Sequence, residues 1–118
     1  MAQLLTIVNI EDGMPSVEVA RKRLLAKIDD ARRSRVPIMK VIHGYGSSGV
    51  GGSLRAAVRK SLSRRRSEGK IAKIVFGEQW TIFDATANEL LRIYPALSRD
   101  SDLERYNEGI TIVELCLE

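Results

Sequence analysis

One cysteine, Cys116, stands two residues from the end of the chain, which rules out an intrachain disulfide and a thiolate metal cluster. A reducing compartment is the natural setting, and a cytoplasmic location is expected. No apolar run approaches membrane-spanning length. The opening stretch MAQLLTIVNIEDG lacks a basic region and reaches acidic residues too early for a signal peptide. A soluble chain with no membrane partner is therefore expected. Histidine is also single, His43, so acid–base chemistry near neutral pH has one imidazole available. At 118 residues there is no room for a second domain. One domain over residues 1–118 is expected, burying roughly two thirds of its unfolded surface.

Positive charge is in excess. Lysine and arginine number 19 against 15 acidic residues, a formal charge of +4, which favours polyanionic partners mildly. The charge is also clustered, in Arg55, Arg59, Lys60 and Arg64 to Arg66.

Periodicity divides the chain into alternating strands and helices. Leu4 to Ile10, Ile38 to His43, Lys70 to Phe76 and Ile110 to Leu115 have strand length and apolar content together. Between the first two, Val17, Ala20, Leu24, Ile28 and Ala31 recur at spacings of three and four, an amphipathic helix with Pro15 and Ser16 at its first turn. Leu54, Ala57, Val58 and Leu62 mark a second helix, with Ser53 as its expected N-cap. Ala87 to Tyr94 marks a third, capped by Asp84 and stopped by Pro95. Residues 98–109 read as a polar loop. The alternation argues for an α/β layer fold.

Five glycines fall within residues 44–52, after the second strand and before the second helix. Gly44-Tyr45-Gly46-Ser47-Ser48-Gly49 fits G-x-G-x-x-G. A dinucleotide site would want an acid at the tip of the next strand, but Glu68 precedes that strand and Glu78 lies beyond it. Val50 follows Gly49 where a nucleoside-triphosphate loop has lysine. Generic chemistry survives: backbone N–H groups at a helix N-terminus converge on an anion, with the hydroxyls of Ser47 and Ser48 as further donors. The alternative is a structural turn that needs positive φ. Arg55 and Arg59, one turn apart beside the loop, are candidate phosphate contacts, as is Lys60, while Arg64 to Arg66 also suit a helix C-terminus. His43 ends the second strand and Glu11-Asp12 ends the first, so the three can share one edge of a parallel sheet. Carboxylates beside a phosphate loop can hold a metal ion or a water.

HGYG with its glycine-serine loop and LRAAV, together with the closing GITIVEL, resembles the Smr (small MutS-related) domain family over most of the chain. The resemblance implies a compact two-layer βαβαβ(α)β sandwich with a four-stranded mixed sheet, similar to the C-terminal domain of translation initiation factor three. It also implies nucleic-acid binding, with endonuclease or nicking activity in some members. Members usually carry L-D-x-H-G at the end of the first strand. Here Asn9-Ile10-Glu11-Asp12-Gly13 places Ile10 at the acid and Asp12 at the histidine. A second departure is a helical insertion over about residues 80–106, expected to cover a sheet face or edge or to add a contact surface.

These readings converge on a DNA- or RNA-binding domain. The 44–49 loop (Gly44, Tyr45, Gly46, Ser47, Ser48, Gly49), Arg55, Arg59 and Lys60 are its expected phosphate contacts, and Tyr45 is an expected stacking platform. If it hydrolyses phosphodiesters, Glu11, Asp12 and His43 are the candidate catalytic or metal-binding groups, with Mg²⁺ or Mn²⁺ as the candidate ion. Activity is expected to be weaker than in members that keep L-D-x-H, or absent. The alternative is a non-catalytic interaction or accessory module, and a dinucleotide-dependent enzyme is third.

Overall fold

The structure, a computed structural model, describes residues 3–45 and 49–118, with the backbone alone for 49–53. Four strands, β1 (Leu5–Asn9), β2 (Ile38–Ile42), β3 (Ile71–Phe76) and β4 (Ile110–Leu115), form one sheet in the order β1-β2-β4-β3. β1 and β2 run parallel, and β4 lies antiparallel to both of its neighbours. Three α-helices, α1 (Val17–Arg33), α2 (Gly49–Ser67) and α3 (Ala85–Ile93), complete the mixed α/β architecture. Among the described residues no helix is long and apolar enough to cross a membrane.

The start of α1 follows from local chemistry. The Ser16 side chain accepts from the Val19 N–H, filling a donor that the first turn leaves open. Its apolar stripe, Ala20, Leu24, Ile28 and Ala31, is buried together with Leu54, Val58 and Leu62 of α2 against Val8, Met39, Val41, Val113 and Leu115 of the sheet. Each fully buried leucine or isoleucine contributes about 1.5–3 kcal/mol. Val17, the first residue of the stripe, is only half-buried. α2 begins at Gly49, so Ser53 lies inside the helix instead of capping it.

Strand alternation turns Ile38, Lys40 and Ile42 toward the opposite face, which the segment between β3 and β4, with α3, covers. Ile38, Val75, Trp80, Ala87, Leu90, Leu97, Ile110 and Ile112 form a second apolar cluster there. Asp84 caps α3 by accepting from the Ala87 N–H. A 3₁₀ turn at Pro95–Arg99 follows, and polar pins then hold the segment to the sheet. The Tyr94 hydroxyl donates to Glu114 at 2.7 Å, and Lys40, 4% exposed, pairs with Asp100 at 3.0 Å and with Asp102. Asp100 also accepts from the Trp80 indole at 3.1 Å, and Asp102 from the Asn107 amide at 2.8 Å. Gly77, just after β3, has no room for a side chain because the Asn107 carbonyl and Ile110 lie against it.

Candidate functional site

The ends of β1, β2 and β3 and the start of β4 meet at one edge of the sheet. This brings Glu11, His43, Gly44, Glu78 and Thr111 together as strand ends and as the residues that follow them. β2 leaves the sheet at His43, where the amides of both His43 and Gly44 donate to the Gly109 carbonyl at 3.0 Å. The Gly44 N–H is thus already engaged. Gly44 itself turns the chain at φ +83°, and the Glu11 carboxylate lies directly over its Cα, where a side chain would clash. Tyr45 beyond it is exposed. Gly46, Ser47 and Ser48 lie outside the described residues.

His43 is fully buried. Its Nδ1 lies 3.0 Å from the Gly44 carbonyl oxygen and its Nε2 lies 2.9 Å from Thr111 Oγ1. A carbonyl only accepts, so the proton belongs on Nδ1, and Nε2 accepts from the Thr111 hydroxyl. Burial pushes the imidazole pKa down to about 4. The Gly44 hydrogen bond opposes that shift, and the positive charges of Arg59 and Arg55 add to it. The ring is therefore neutral at pH 7 with both nitrogens occupied.

Arg59 completes this network. Its guanidinium donates to both carboxylate oxygens of Glu78, at 2.9 and 2.7 Å, and its Nε donates to Thr111 Oγ1 at 3.3 Å. The same fork reaches the Ile110 and Glu108 carbonyls and stacks over Phe76 at 4.1 Å. Burial favours a protonated Glu78, but the Arg59 hydrogen bonds and charge outweigh it and hold the carboxyl below its ordinary range. Arg55, one turn earlier, is far less constrained, half-exposed and 3.9 Å from a Glu108 oxygen. Lys60 projects from a different flank of α2, into a cleft shared with α1.

At the end of β1, Ile10 is fully buried in the core, while Glu11 and Asp12 are exposed. The Asp12 carbonyl accepts from Arg23 of α1 at 2.7 Å, which fixes the turn. Among the described residues no three His, Cys, Asp or Glu side chains gather as a metal-holding group. Glu11 and Asp12 stand as exposed carboxylates at this edge, and both nitrogens of His43 are already hydrogen-bonded.

Sequence reasoning does not find Thr111 and Glu78 as parts of this edge. Thr111 looks like an ordinary β-branched strand residue, and Glu78 enters only as a poorly placed ribose ligand. A single charged residue just past a strand end, one strand away from an arginine-bearing helix, is the available signal for Glu78.

The family model for the Smr domain matches residues 13–80, more than half of the chain. The chain belongs to the Smr domain family. A solved structure with the same fold is the Smr domain of Thermus thermophilus MutS2, at 17% sequence identity and a TM-score of 0.56, over 95% of this chain and 96% of that one. No curated protein sequence matches significantly. The fold carries over to this Smr domain as a four-stranded mixed sheet with three helices. The final residue of the turn after β1, Gly13, and the HGYG segment fall inside the matched residues, whereas α3 and β4 lie beyond them.

Proposed function

We propose that this Smr domain binds nucleic acid through backbone phosphates and is degenerate as a nuclease. Gly44 and Tyr45, where the glycine loop begins, share the sheet edge with Arg55, whose charge is felt at His43; in this reading a phosphate meets loop N–H groups, the hydroxyls of Ser47 and Ser48 expected from the sequence, and one adaptable guanidinium. Tyr45, exposed beside the loop, offers a face for an unpaired base. Arg59 acts at one remove: its fork is occupied by Glu78, and it positions Thr111 and, through Thr111, His43.

The state of His43 is the observation that carries the catalytic half of the reading. A general base needs a free nitrogen and a pKa near working pH, and this imidazole has neither. Glu11 and Asp12 remain as exposed carboxylates, and the imidazole on the same edge is buried with both nitrogens engaged. Ile10, where other members place an acid, serves the core.

Incubation with branched, duplex and single-stranded DNA and RNA, with and without Mg²⁺ or Mn²⁺, tests this directly. Retention of the nucleic acid without turnover by substoichiometric protein is the expected result. Multiple-turnover nicking that disappears in Asp12→Asn, an exposed and fold-neutral change, would refute the degenerate reading and assign the chemistry to that corner.

A second reading, an interaction module, draws on the insertion. Ile82, Phe83 and Tyr106 are exposed there, on turns joined where Glu104 accepts from Thr81 and from the Ile82 N–H. Under that reading nucleic acid is not retained in the same assay.

A further inference from the structure

The flank of α2 turned toward α1 carries a second concentration of charge. A cleft of about 270 Å³ between the two helices is lined by Arg21 and Lys22 of α1 and by Lys60, Arg64 and Arg65 of α2, with Glu18 as its one carboxylate. Several other cations of these helices have partners, such as Arg33 with Asp30, Arg59 with Glu78 and Lys70, just past α2, with Asp29, whereas Lys27 and Arg66 stand unpaired among the described residues, each apart from the cleft lining. Arg21, Lys22, Lys60 and Arg64 make no ion pair among the described residues. Arg65 lies 3.2 Å from Glu68, yet its buried Nε has no hydrogen-bond partner among the described residues.

The helix dipole does not explain the whole arrangement. Cations in the last turn of α2 gain from the helix dipole, which covers Arg64 to Arg66. Arg21 and Lys22 sit in the second turn of α1, near its positive end, where the dipole gives a cation nothing. Two helices that bring five cations to one cleft with a single carboxylate leave a field that an external polyanion would neutralise. Lys60 and Arg64 are one turn apart along α2, about 6 Å, so the row can meet successive charges of an extended anion and not only a single one.

We infer that this cleft grips the sugar–phosphate backbone of the same nucleic acid that the loop edge receives, as a second contact on the other flank of α2. The inference rests on the nucleic-acid reading above and extends it to α1. Arg21 and Lys22 become binding residues, and the footprint passes around α2 to both of its sides.

Two double variants remove charge from helical positions outside the core: Arg21→Gln with Lys22→Gln, and Lys60→Gln with Arg64→Gln. Arg92→Gln with Arg99→Gln, in the insertion, removes equal charge elsewhere as a control. Affinity for a short duplex is measured between about 50 and 200 mM salt. Each cleft pair should weaken binding and flatten the slope of log affinity against log salt by about 0.9 for every phosphate no longer neutralised, while the control pair leaves the slope unchanged. Cleft variants that behave like the control, while Arg55→Ala still weakens binding, would overturn the cleft and leave the loop edge standing. A wild-type protein that binds no nucleic acid at low salt would overturn both.

Discussion

Replacing Lys40 with methionine should destabilise the fold by about 3–5 kcal/mol, the usual cost of removing one partner from a buried ion pair. Lys40 is 4% exposed in the centre of the sheet, and two carboxylates, Asp100 and Asp102, converge on its ammonium group. Without it they face each other across an apolar cluster with only the Trp80 indole, a backbone amide and the Asn107 amide as donors. Burial works against the charged lysine, but hydrogen bonds and charge from Asp102 and Asp100 outweigh it and raise its pKa. A lysine with a raised folded pKa keeps its full contribution below the unfolded value and loses it only as pH climbs through the folded one, so the bridge holds across the neutral range. Urea unfolding should show an unchanged slope with a lower midpoint, and the melting temperature should fall on the order of 10–20 °C. Lys40→Met combined with Asp100→Asn and Asp102→Asn should recover much of the loss, because no uncompensated charge remains. A single variant as stable as wild type would show that the segment between α3 and β4 is not held to the sheet by this bridge.

The second large effect is a loss of stability in mild acid that depends on His43. Its pKa is about 4 in the folded protein, against an ordinary value of 6.5 when exposed. Between these values the unfolded chain binds a proton that the native state refuses, so stability falls as pH drops from about 6.5 towards 4. The full difference is worth roughly 3 kcal/mol. Protonation would put a second donor on Nε2, facing Thr111 Oγ1 and the Arg59 guanidinium. His43→Gln keeps an amide able to hydrogen-bond and cannot titrate. It should be less stable than wild type at pH 7 and should lose less on moving to about pH 4.5. Comparing the two proteins isolates the imidazole from carboxylates such as Asp102, which hydrogen bonds from Asn107 and Lys40 hold below their ordinary range despite burial. Parallel pH profiles for the two would mean that His43 titrates normally and is open to chemistry after all.

The strands are legible in the sequence because each is a short apolar run bounded by turn residues, and their observed limits differ from the expected ones by a residue at most. The α1 stripe and the Asp84 cap are legible for the same local reasons, whereas Pro15 and Ser16, expected in the first turn of α1, precede it, with Ser16 as its cap. Long-range pairing is not. Lys40 lies within IMKVIH, and a lysine inside a buried strand demands an acidic partner, but Asp100 and Asp102 are some 60 residues away in a stretch that reads as a solvated loop. Arg55 and Arg59 look equivalent by helical spacing, and only the fold places Glu78, Thr111 and Phe76 around one of them. Arg21 and Lys22 look like the solvated face of α1 until α2 is set beside it. Ser53 is expected as a cap because a glycine-rich segment argues for a loop, whereas α2 begins four residues earlier, at Gly49.

The most direct test of phosphate-directed binding is the affinity of the wild-type protein for one duplex followed across salt concentration, repeated with a duplex of unrelated sequence. Binding to both should weaken together, log affinity falling linearly with log salt at about 0.9 for each phosphate engaged, and Arg55→Ala should reduce that slope by about one phosphate's worth. Binding that is absent at low salt, or that is unaffected by salt, would contradict recognition through the phosphate backbone.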